Sequence, residues 1–198
     1  MDYSNIQHAL EAHGFMVSTF RDHVQATAYL TQCLSGRTIG FGGSVTVRQM
    51  GLYEALSAHN VTVWHHEIAG DEVKHLAAQC SIYITSVNAI SETGEIVCID
   101  GAGNRLAMML YGPEKVYYVV GRNKIVSTRD AALLRAQQIS GPLNARRMGT
   151  KTPCAVGETP KCYNCSGKER ICCCTLILDR APNHTPSEVI LVDEDLGF

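Results

Sequence analysis

Apolar residues recur at two spacings along the first 140 residues, one typical of helices and one typical of strands. Helical spacing, with its capping and stop residues, predicts helices at 4–13, 22–34, 45–58, 71–79, 103–111 and 129–139, the last ended by Gly141-Pro142. Short apolar or β-branched runs predict strands at 38–41, 61–64, 80–85, 95–99 and 115–120. Strands separated by helices of about ten residues are typical of a parallel sheet covered on both faces. The pattern predicts an α/β fold with a doubly wound, mostly parallel sheet.

The pattern changes in the last quarter of the chain. Residues 150–173 are rich in Cys, Gly, Pro and Lys and show little periodicity, and two more strands are predicted after them, at 174–179 and 188–192. A stretch of that length without secondary structure is uncommon in a compact domain unless something orders it. We expect one domain, residues 1–198, that contains a Cys-rich metal-binding loop at residues 150–174.

Composition narrows the class of protein. The chain has 198 residues, of which 45% are hydrophobic and 18% are charged, which excludes an intrinsically disordered chain. A formal net charge of −2 argues against a protein that binds the nucleic-acid backbone. No run reaches the roughly 18 apolar residues of a membrane span, and residues 1–10 lack the apolar core of a signal peptide. We therefore expect a cytoplasmic protein with neither a membrane span nor a nucleic-acid partner.

Cysteines are the most informative residues. Six of the nine fall between residues 154 and 174, and the first four of these have the spacing C-x7-C-x2-C-x6-C. They are Cys154, Cys162, Cys165 and Cys172. A C-x2-C pair lets two thiolates from one turn bind the same centre, and a disulfide framework is not expected in a reducing compartment. Four thiolates fit either a zinc ion or a [4Fe–4S] cluster, and the spacing leaves both open.

The fourth ligand is also open, because Cys172 is followed directly by Cys173 and Cys174. The last two are expected to begin a strand. Since side chains alternate between the faces of a strand, one of these two thiols is expected to point into the core rather than to a metal.

A glycine-rich loop joins a predicted strand to a predicted helix. It reads Gly40-Phe-Gly42-Gly43-Ser44-Val-Thr46, and it lacks the third glycine of a dinucleotide-binding fingerprint and the Gly-Lys of a P-loop. Backbone amides at such a helix start attract anions, which makes Gly42, Gly43 and Ser44 candidates for an anion site, with Thr46 and Arg48 as further donors. The alternative is a tight turn in which Ser44 caps the helix.

Polar residues follow several of the predicted strands, where ligands bind in open α/β sheets. They are His65, His66, Asn88, Glu92, Asp100, Asn104, Arg105, Arg122, Asn123 and Lys124. Glu92 and Asp100 are the candidate general bases. Lys124 and Arg105 are the candidate residues for binding the substrate anion, and Lys124 is also a candidate catalytic residue. Each has an ordinary alternative: a solvated loop for His65-His66-Glu67, a turn for Asp100-Gly101 and a helix cap for Asn104.

Longer motifs in the same region resemble one family. They include Ser86-Val-Asn88-Ala-Ile-Ser91-Glu92-Thr-Gly94-Glu95, Ile99-Asp100-Gly101-Ala-Gly103-Asn104-Arg105 and Val120-Gly121-Arg122-Asn123-Lys124. Together with the ending Ile190-Leu-Val-Asp-Glu-Asp-Leu196-Gly197-Phe198, they resemble the LUD (lactate-utilisation) domain family. The resemblance implies a fold similar to the ribose-phosphate isomerase, glucosamine-phosphate deaminase and CoA-transferase superfamily. It also implies a role in lactate oxidation to pyruvate beside iron–sulfur oxidoreductase partner proteins, and it favours a [4Fe–4S] cluster over zinc.

Three hypotheses follow. The first is an electron-transfer or accessory protein of organic-acid oxidation with a [4Fe–4S] cluster. The second is an isomerase or transferase that acts on a small phosphorylated or carboxylated anion, and the third is a binding module whose metal loop is structural. A small-molecule anion and a second copy of the chain are further candidate binding partners. A cluster loop that lies beside the strand-end crevice would join the first two hypotheses.

Overall fold

The computed structural model describes residues 2–70 and 72–198. Its strands are β1 (Met16–Phe20), β2 (Thr38–Phe41), β3 (Val61–Val63), β4 (Ile82–Thr85), β5 (Ala89–Ser91), β6 (Ile96–Asp100), β7 (Lys115–Gly121), β8 (Ile125–Val126), β9 (Cys174–Leu178) and β10 (Ser187–Val192). Its α-helices are α1 (Ser4–Ala12), α2 (His23–Cys33), α3 (Val45–Gln49), α4 (Leu52–Ser57), α5 (Val73–Ala77), α6 (Asn104–Leu110), α7 (Arg129–Arg135), α8 (Gly141–Arg147) and α9 (Pro153–Val156).

A six-stranded parallel sheet forms the centre of the described part of the chain, in the order β1-β10-β7-β4-β2-β3. Its inner strands are apolar along nearly their whole length because both faces are covered. In β7, Tyr118 packs into the apolar cluster on one face and Tyr117 into the cluster on the other. The predicted α/β fold with a mostly parallel sheet is confirmed.

A second, smaller sheet has the order β8-β5-β6-β9 and mixes parallel and antiparallel pairs. It begins where the chain leaves the carboxyl end of β4. Ala132 and Ala136 of the following helical segment pack against its residues Ala89 and Val97. This sheet was not expected as a separate layer, because β5 and β8 are only three and two residues long and carry almost no periodicity.

Two predicted helices have other bounds. The helix expected at 45–58 is divided into α3 and α4, because Gly51 adopts a left-handed φ of 62°. The stop expected at Gly141-Pro142 is wrong. The chain passes from α7 through a π-helical turn, Ala136–Ser140, directly into α8. Pro142 lies in the first turn of α8, where its missing N–H costs little.

Other expectations differ at the ends of elements. Strand β1 was not predicted, because it is an edge strand whose residues are exposed or half-buried and therefore lack a continuous apolar run. The helix expected to begin at Asp71 is α5, and Asp71 itself lies outside the described residues. No helix within the described ranges is long and apolar enough to cross a bilayer.

Candidate functional site

Three neighbouring strands of the main sheet, β2, β4 and β7, end at the same edge. The glycine loop follows β2, Ser86 follows β4, and a short 3₁₀ turn, Arg122–Lys124, follows β7. Since the strands are parallel, these segments meet, and the turn carries Lys124 back under the edge of the sheet. Lys124 is only 3% exposed.

Lys124 is held by two hydroxyl groups. Its Nζ donates hydrogen bonds of 2.8 Å to Oγ1 of Thr46 and 2.8 Å to Oγ of Ser86. Among the described residues, no carboxylate forms an ion pair with it. Burial, with repulsion from Arg135 and Arg105, lowers the pKa of Lys124 to about 7. An amine with such a pKa changes its protonation state near neutral pH, so it can donate to an anion or transfer a proton.

Arg105 fixes the loops around Lys124. Its guanidinium donates to the backbone carbonyls of Ser86, at 2.9 Å, and Ile99, at 2.6 Å. It also donates to Oδ1 of Asn88 at 3.2 Å, and Asp100 lies 3.6 Å away. Because these bonds use most of its donors, Arg105 acts mainly as a positioning residue that also adds positive potential to the site.

Arg135 plays the same part from the opposite side. It reaches from α7 to the backbone carbonyls of Asn123, at 3.0 Å, and Asn88, at 2.6 Å, and to the hydroxyl of Ser140, at 2.9 Å. It lies mostly buried, at 9% exposure. Lys124, Arg105 and Arg135 therefore concentrate positive charge at this edge of the sheet, which favours an anionic ligand.

A cavity of about 70 Å³, the inner compartment, opens above Lys124. The residues that define it here are Thr46, Ser86, Asn88, Lys124, Ser140 and Cys172. At about 10–15 Å³ of such volume per water, it has room for roughly five to seven water-sized atoms. That is the size of a small organic acid.

The last residues of the chain form one wall of the inner compartment. Gly197 adopts a left-handed φ of 65°, and a Cβ built there would lie 2.5 Å from Oγ1 of Thr46 and 3.2 Å from Nζ of Lys124. Its N–H donates to the side-chain oxygen of Gln49 at 2.6 Å. A glycine is therefore required where the backbone crosses the lysine. In the sequence, only the resemblance of the ending, residues 190–198, to one family pointed to this glycine.

A larger cavity of about 220 Å³, the outer compartment, adjoins the inner one. The residues that define it are His65, His66, Lys74, Asp100, Asn104 and Arg147. The two compartments share part of their lining, including Gly43, Ser44, Arg105 and Asn144. His65 and His66 therefore line the cleft, although their sequence is more typical of a solvated loop than of a binding site. Lys74 and Arg147 also line it, and no sequence pattern pointed to them.

Both histidines are biased toward the neutral form. Burial, with repulsion from Lys74, lowers the pKa of His65. Burial, with repulsion from His65, Arg48 and Arg147, lowers the pKa of His66 to about 4. The surroundings of this cavity are therefore electropositive even though its imidazoles are uncharged near neutral pH.

Five of the candidate residues lie outside the cleft lining. Arg48 is exposed and forms an ion pair with Glu67 at 3.1 Å. Glu92 is exposed on the turn between β5 and β6 and lines neither compartment. Arg122 points outward to Asp193 and Asp195. Asn123 binds the chain ending, accepting from the N–H of Leu196 and donating to the carbonyl of Gly197.

Gly42 lies behind the cleft. A Cβ there would meet Oγ1 of Thr85 at 2.5 Å, and its carbonyl accepts a hydrogen bond from the indole of Trp64. Gly43 and Ser44 do line both compartments, and the Ser44 hydroxyl also caps α3 by accepting from the N–H of Val47. Asn104 is the first residue of α6 rather than its cap, which is Gly103.

The cysteine loop turns sharply between Cys162 and Cys165. Asn164 adopts a left-handed φ of 46°, and its N–H donates to Sγ of Cys162 at 3.4 Å. A backbone N–H that points at sulfur stabilises a thiolate. Arg170 ties the loop together by donating to the carbonyls of Cys165 and Cys172.

Cys172 lies at the meeting point of the loop and the cleft. Burial raises the pKa of its thiol, and the nearby thiols of Cys162, Cys154 and Cys165 add to this while Arg170 opposes it. Its Sγ would lie 3.5 Å from a Cβ built at Gly141, the first residue of α8. The four candidate ligands are thus close enough to influence one thiol. Over the described ranges, however, no group of three or more His, Cys, Asp or Glu residues is arranged to hold a metal ion.

The expected orientation of the next two cysteines is wrong. Cys173 and Cys174 are both exposed, so neither points into the core. Cys173 lies just before β9, and Cys174 begins this edge strand of the second sheet, opposite Asp100.

One family model and one solved structure agree with this architecture. The LUD domain model matches residues 3–192. A DUF162 family protein from Deinococcus radiodurans has a TM-score of 0.55 at 15% identity, covering 97% of this chain and 99% of that chain. Ribose 5 phosphate isomerase A from Neisseria gonorrhoeae has a TM-score of 0.36 at 15% identity, over 54% of each chain. For eIF2B beta from Chaetomium thermophilum the values are 0.31 and 14%, over 65% of this chain and 44% of that chain.

No curated protein sequence matches the chain. The Deinococcus structure shares the fold over nearly the whole of both chains. Since the family model also spans almost every residue, the chain belongs to the LUD domain family.

Proposed function

We propose that the inner compartment binds the carboxylate of a small organic acid and that the cysteine loop carries a [4Fe–4S] cluster beside it. The protein then serves as an electron-transfer or accessory component of lactate oxidation to pyruvate. One observation carries the proposal: Cys172, one of the four candidate ligands, lines the same cavity as Lys124. The cluster loop and the strand-end crevice are one site, which joins the two sequence hypotheses.

Charge and size support the organic acid. Lys124 and Arg105 line a small polar cavity, and Arg135 adds positive charge near Lys124, so a bound anion would offset their mutual repulsion. Charge-assisted hydrogen bonds from buried donors are the strong ones in a water-poor site. Membership of the LUD domain family favours a hydroxy acid or an oxo acid as that anion.

The donor set supports the cluster. It consists of thiols alone, and soft thiolates suit iron–sulfur clusters and zinc. The Asn164 N–H directed at Cys162 is the kind of contact that holds a metal-bound thiolate in place. The thiols of Cys154, Cys162 and Cys165 lie near enough to influence the Cys172 thiol. The choice of a cluster over zinc rests on the membership of the LUD domain family and not on the arrangement of the thiols.

When bound by these four cysteines, a [4Fe–4S] cluster would supply one-electron transfer. The chain itself supplies the rest. Lys124 holds the carboxylate and takes up or releases a proton, Thr46 and Ser86 orient its amine, and the chain ending excludes water.

Lactate oxidation releases two electrons and two protons, so a partner must accept the electrons. We assign that role to iron–sulfur oxidoreductase partner proteins, which approach the exposed side of the cysteine loop. A reducing, cytoplasmic location belongs to the same proposal, because the thiolate ligands must stay reduced.

Metal analysis after anaerobic purification tests the cluster. We expect a brown protein with a broad absorption band near ~400 nm and roughly four irons per chain. Cys162→Ala and Cys165→Ala should each lose most of the iron, whereas Cys173→Ala and Cys174→Ala, the matched controls, should keep it. Colourless protein with one zinc per chain would show instead that the loop is structural.

Calorimetric titration with pyruvate and with lactate tests the organic acid. The full-length protein should bind at least one of them, and Lys124→Met should lose about tenfold or more in affinity because the buried donor is gone. Equal affinity in wild type and Lys124→Met would contradict the assignment of the inner compartment, whatever the metal analysis gives.

A second candidate function rests on the lowered pKa of Lys124, near 7. A neutral amine beside a bound anion suits proton transfer in an isomerase or transferase reaction. It predicts that the protein exchanges the C–H proton next to the carbonyl of a bound acid or sugar phosphate with D₂O, without loss of electrons. Exchange that is absent from wild type under conditions of binding excludes this function.

A further inference from the structure

The outer compartment carries more positive charge than its own carboxylate balances. Lys74, Arg105 and Arg147 line it together with one carboxylate, that of Asp100. Asp100 lies 3.6 Å from Arg105, which leaves the other two cations. Neither Lys74 nor Arg147 forms an ion pair with a carboxylate in residues 2–70 or 72–198. Two cations therefore border this cavity without a carboxylate partner among the described residues.

Two imidazoles border the same space. The rings of His65 and His66 meet edge to face, with centroids 4.5 Å apart. A Cβ built on Gly43 would lie 3.3 Å from Nε2 of His65 and 3.4 Å from Nε2 of His66. Nδ1 of His65 is buried and has no hydrogen-bond partner among the described residues. With Nδ1 unused, the proton of His65 can sit on Nε2, the nitrogen that borders the bare face of Gly43.

We propose that the outer compartment binds a phosphoryl group, seated over Gly43 between the two imidazole edges and the cations Lys74 and Arg147. A tetrahedral dianion presents three terminal oxygens, so it can meet two separate cations and an imidazole N–H at once, which a planar carboxylate with two oxygens does less well. This site is additional to the carboxylate site over Lys124.

The volume indicates which kind of phosphate compound is bound. About 220 Å³ corresponds to roughly fifteen to twenty water-sized atoms, several times the five heavy atoms of inorganic phosphate. We therefore assign the site to a phosphate ester. Inorganic phosphate shares the recognised chemistry at lower affinity, and pyrophosphate occupies more of the space.

Calorimetric titration of the full-length protein with inorganic phosphate and with pyrophosphate tests the site. We expect saturable binding of both at constant ionic strength, with pyrophosphate the tighter. The double variant Lys74→Gln/Arg147→Gln should bind about tenfold more weakly or worse, because two charge-assisted contacts are lost. Both side chains are exposed, so the variant should fold, and its unchanged thermal midpoint verifies this.

Arg129→Gln is a control for charge. It removes one cation, where the double variant removes two, and Arg129 pairs with Asp179 and does not line the cleft. It should bind phosphate within about twofold of wild type, since diffuse surface potential contributes little at physiological salt. An equal loss in this control and in the double variant would mean general electrostatics and would overturn the site.

Gly43→Ala is a second variant that leaves the charge unchanged. Its added methyl group would occupy the position between the two Nε2 atoms, so phosphate binding should fall while the two cations remain. Pyruvate binding should persist in Lys74→Gln/Arg147→Gln. Wild type that binds pyruvate but neither phosphate compound would overturn this inference alone. Phosphate binding that is lost in Lys124→Met yet kept in the double variant would overturn it too.

Discussion

Nζ of Lys124 lies 2.8 Å from Oγ of Ser86, although the two residues are 38 positions apart in the chain. The contact joins the carboxyl ends of β4 and β7, neighbouring strands of the main sheet. It leaves an amine buried among hydroxyls, with two arginines as its nearest charges. Burying an amine without a carboxylate partner lowers the free energy of unfolding. This cost can be measured.

The buried lysine predicts a specific pH dependence of stability. Its folded-state pKa, about 7, lies below its ordinary value of 10.5, so between these values the unfolded chain binds more protons than the folded one. Stability must then rise with pH over that window, by up to about 1.4 kcal/mol per pH unit. Urea denaturation at pH 6 to 9 should measure this for wild type and Lys124→Met. The free energy of unfolding of wild type, relative to that of the variant, should increase above pH 7. Parallel curves would show that Lys124 keeps its ordinary pKa.

Gly197 is predicted to be irreplaceable for steric reasons. Gly197→Ala places a methyl group 2.5 Å from Oγ1 of Thr46 and also strains a left-handed backbone. Gly149→Ala is the matched control, because Gly149 has a similar φ of 68° but nothing lies within 4 Å of its added methyl group.

We expect the control to lose about 1 kcal/mol of unfolding free energy and Gly197→Ala about 1–3 kcal/mol more. Chemical denaturation measures both. Gly197→Ala should also weaken pyruvate binding, since the methyl group approaches Lys124. Equal losses of unfolding free energy in the two variants would mean that the backbone at Gly197 is not packed tightly against Thr46.

Arg170 is predicted to hold the cysteine loop ready for its cluster. Arg170→Gln removes the donors to the carbonyls of Cys165 and Cys172, so the loop should lose the contacts that hold these two cysteines in place. Iron content after anaerobic reconstitution should fall, because the loss of an outer-shell partner typically lowers metal affinity about 10–100-fold. Lys168→Gln, in the same loop and exposed, should keep wild-type iron. Equal iron in the two variants would remove Arg170 from this role.

Glu188 predicts an acid-sensitive stability far from the cleft. Burial alone would raise the pKa of Glu188, but hydrogen bonds from Lys115, Tyr29 and Ser18 outweigh burial and lower it. The resulting stability is present above pH 4.5 and is lost as the pH falls through the folded-state value.

Glu188→Gln should therefore cost about 3 kcal/mol at pH 7, with a smaller cost below pH 4, measured by urea denaturation. Because Glu188 lies near the amino end of β10, pyruvate and phosphate affinities should stay unchanged. A cost that does not change with pH would contradict the ionised pair with Lys115.

The sequence predicts Lys124 as a site residue but does not predict the directions in which the neighbouring side chains point. Arg122, Asn123 and Lys124 are consecutive, yet a single 3₁₀ turn sends Arg122 to surface carboxylates and Lys124 into the interior. Such a turn has no periodic pattern to reveal which side chain points inward. Glu92 looked equivalent to Asp100 as a base, but it lies on an exposed hairpin turn of the second sheet.

Local patterns in the chain are enough to predict the α/β class, because β-branched runs separated by helical spacing leave few alternatives to a parallel sheet. The C-x2-C spacing also predicts a set of thiol ligands in the loop, because that spacing is local and needs no tertiary contact to be recognised. The position of Cys172 and Lys124 in one cavity, and of His65, His66, Lys74 and Arg147 around the next, is visible only in the folded chain. These residues belong to segments far apart in the chain, and their distances are set by strand order and by the turns after each strand, which no local pattern encodes.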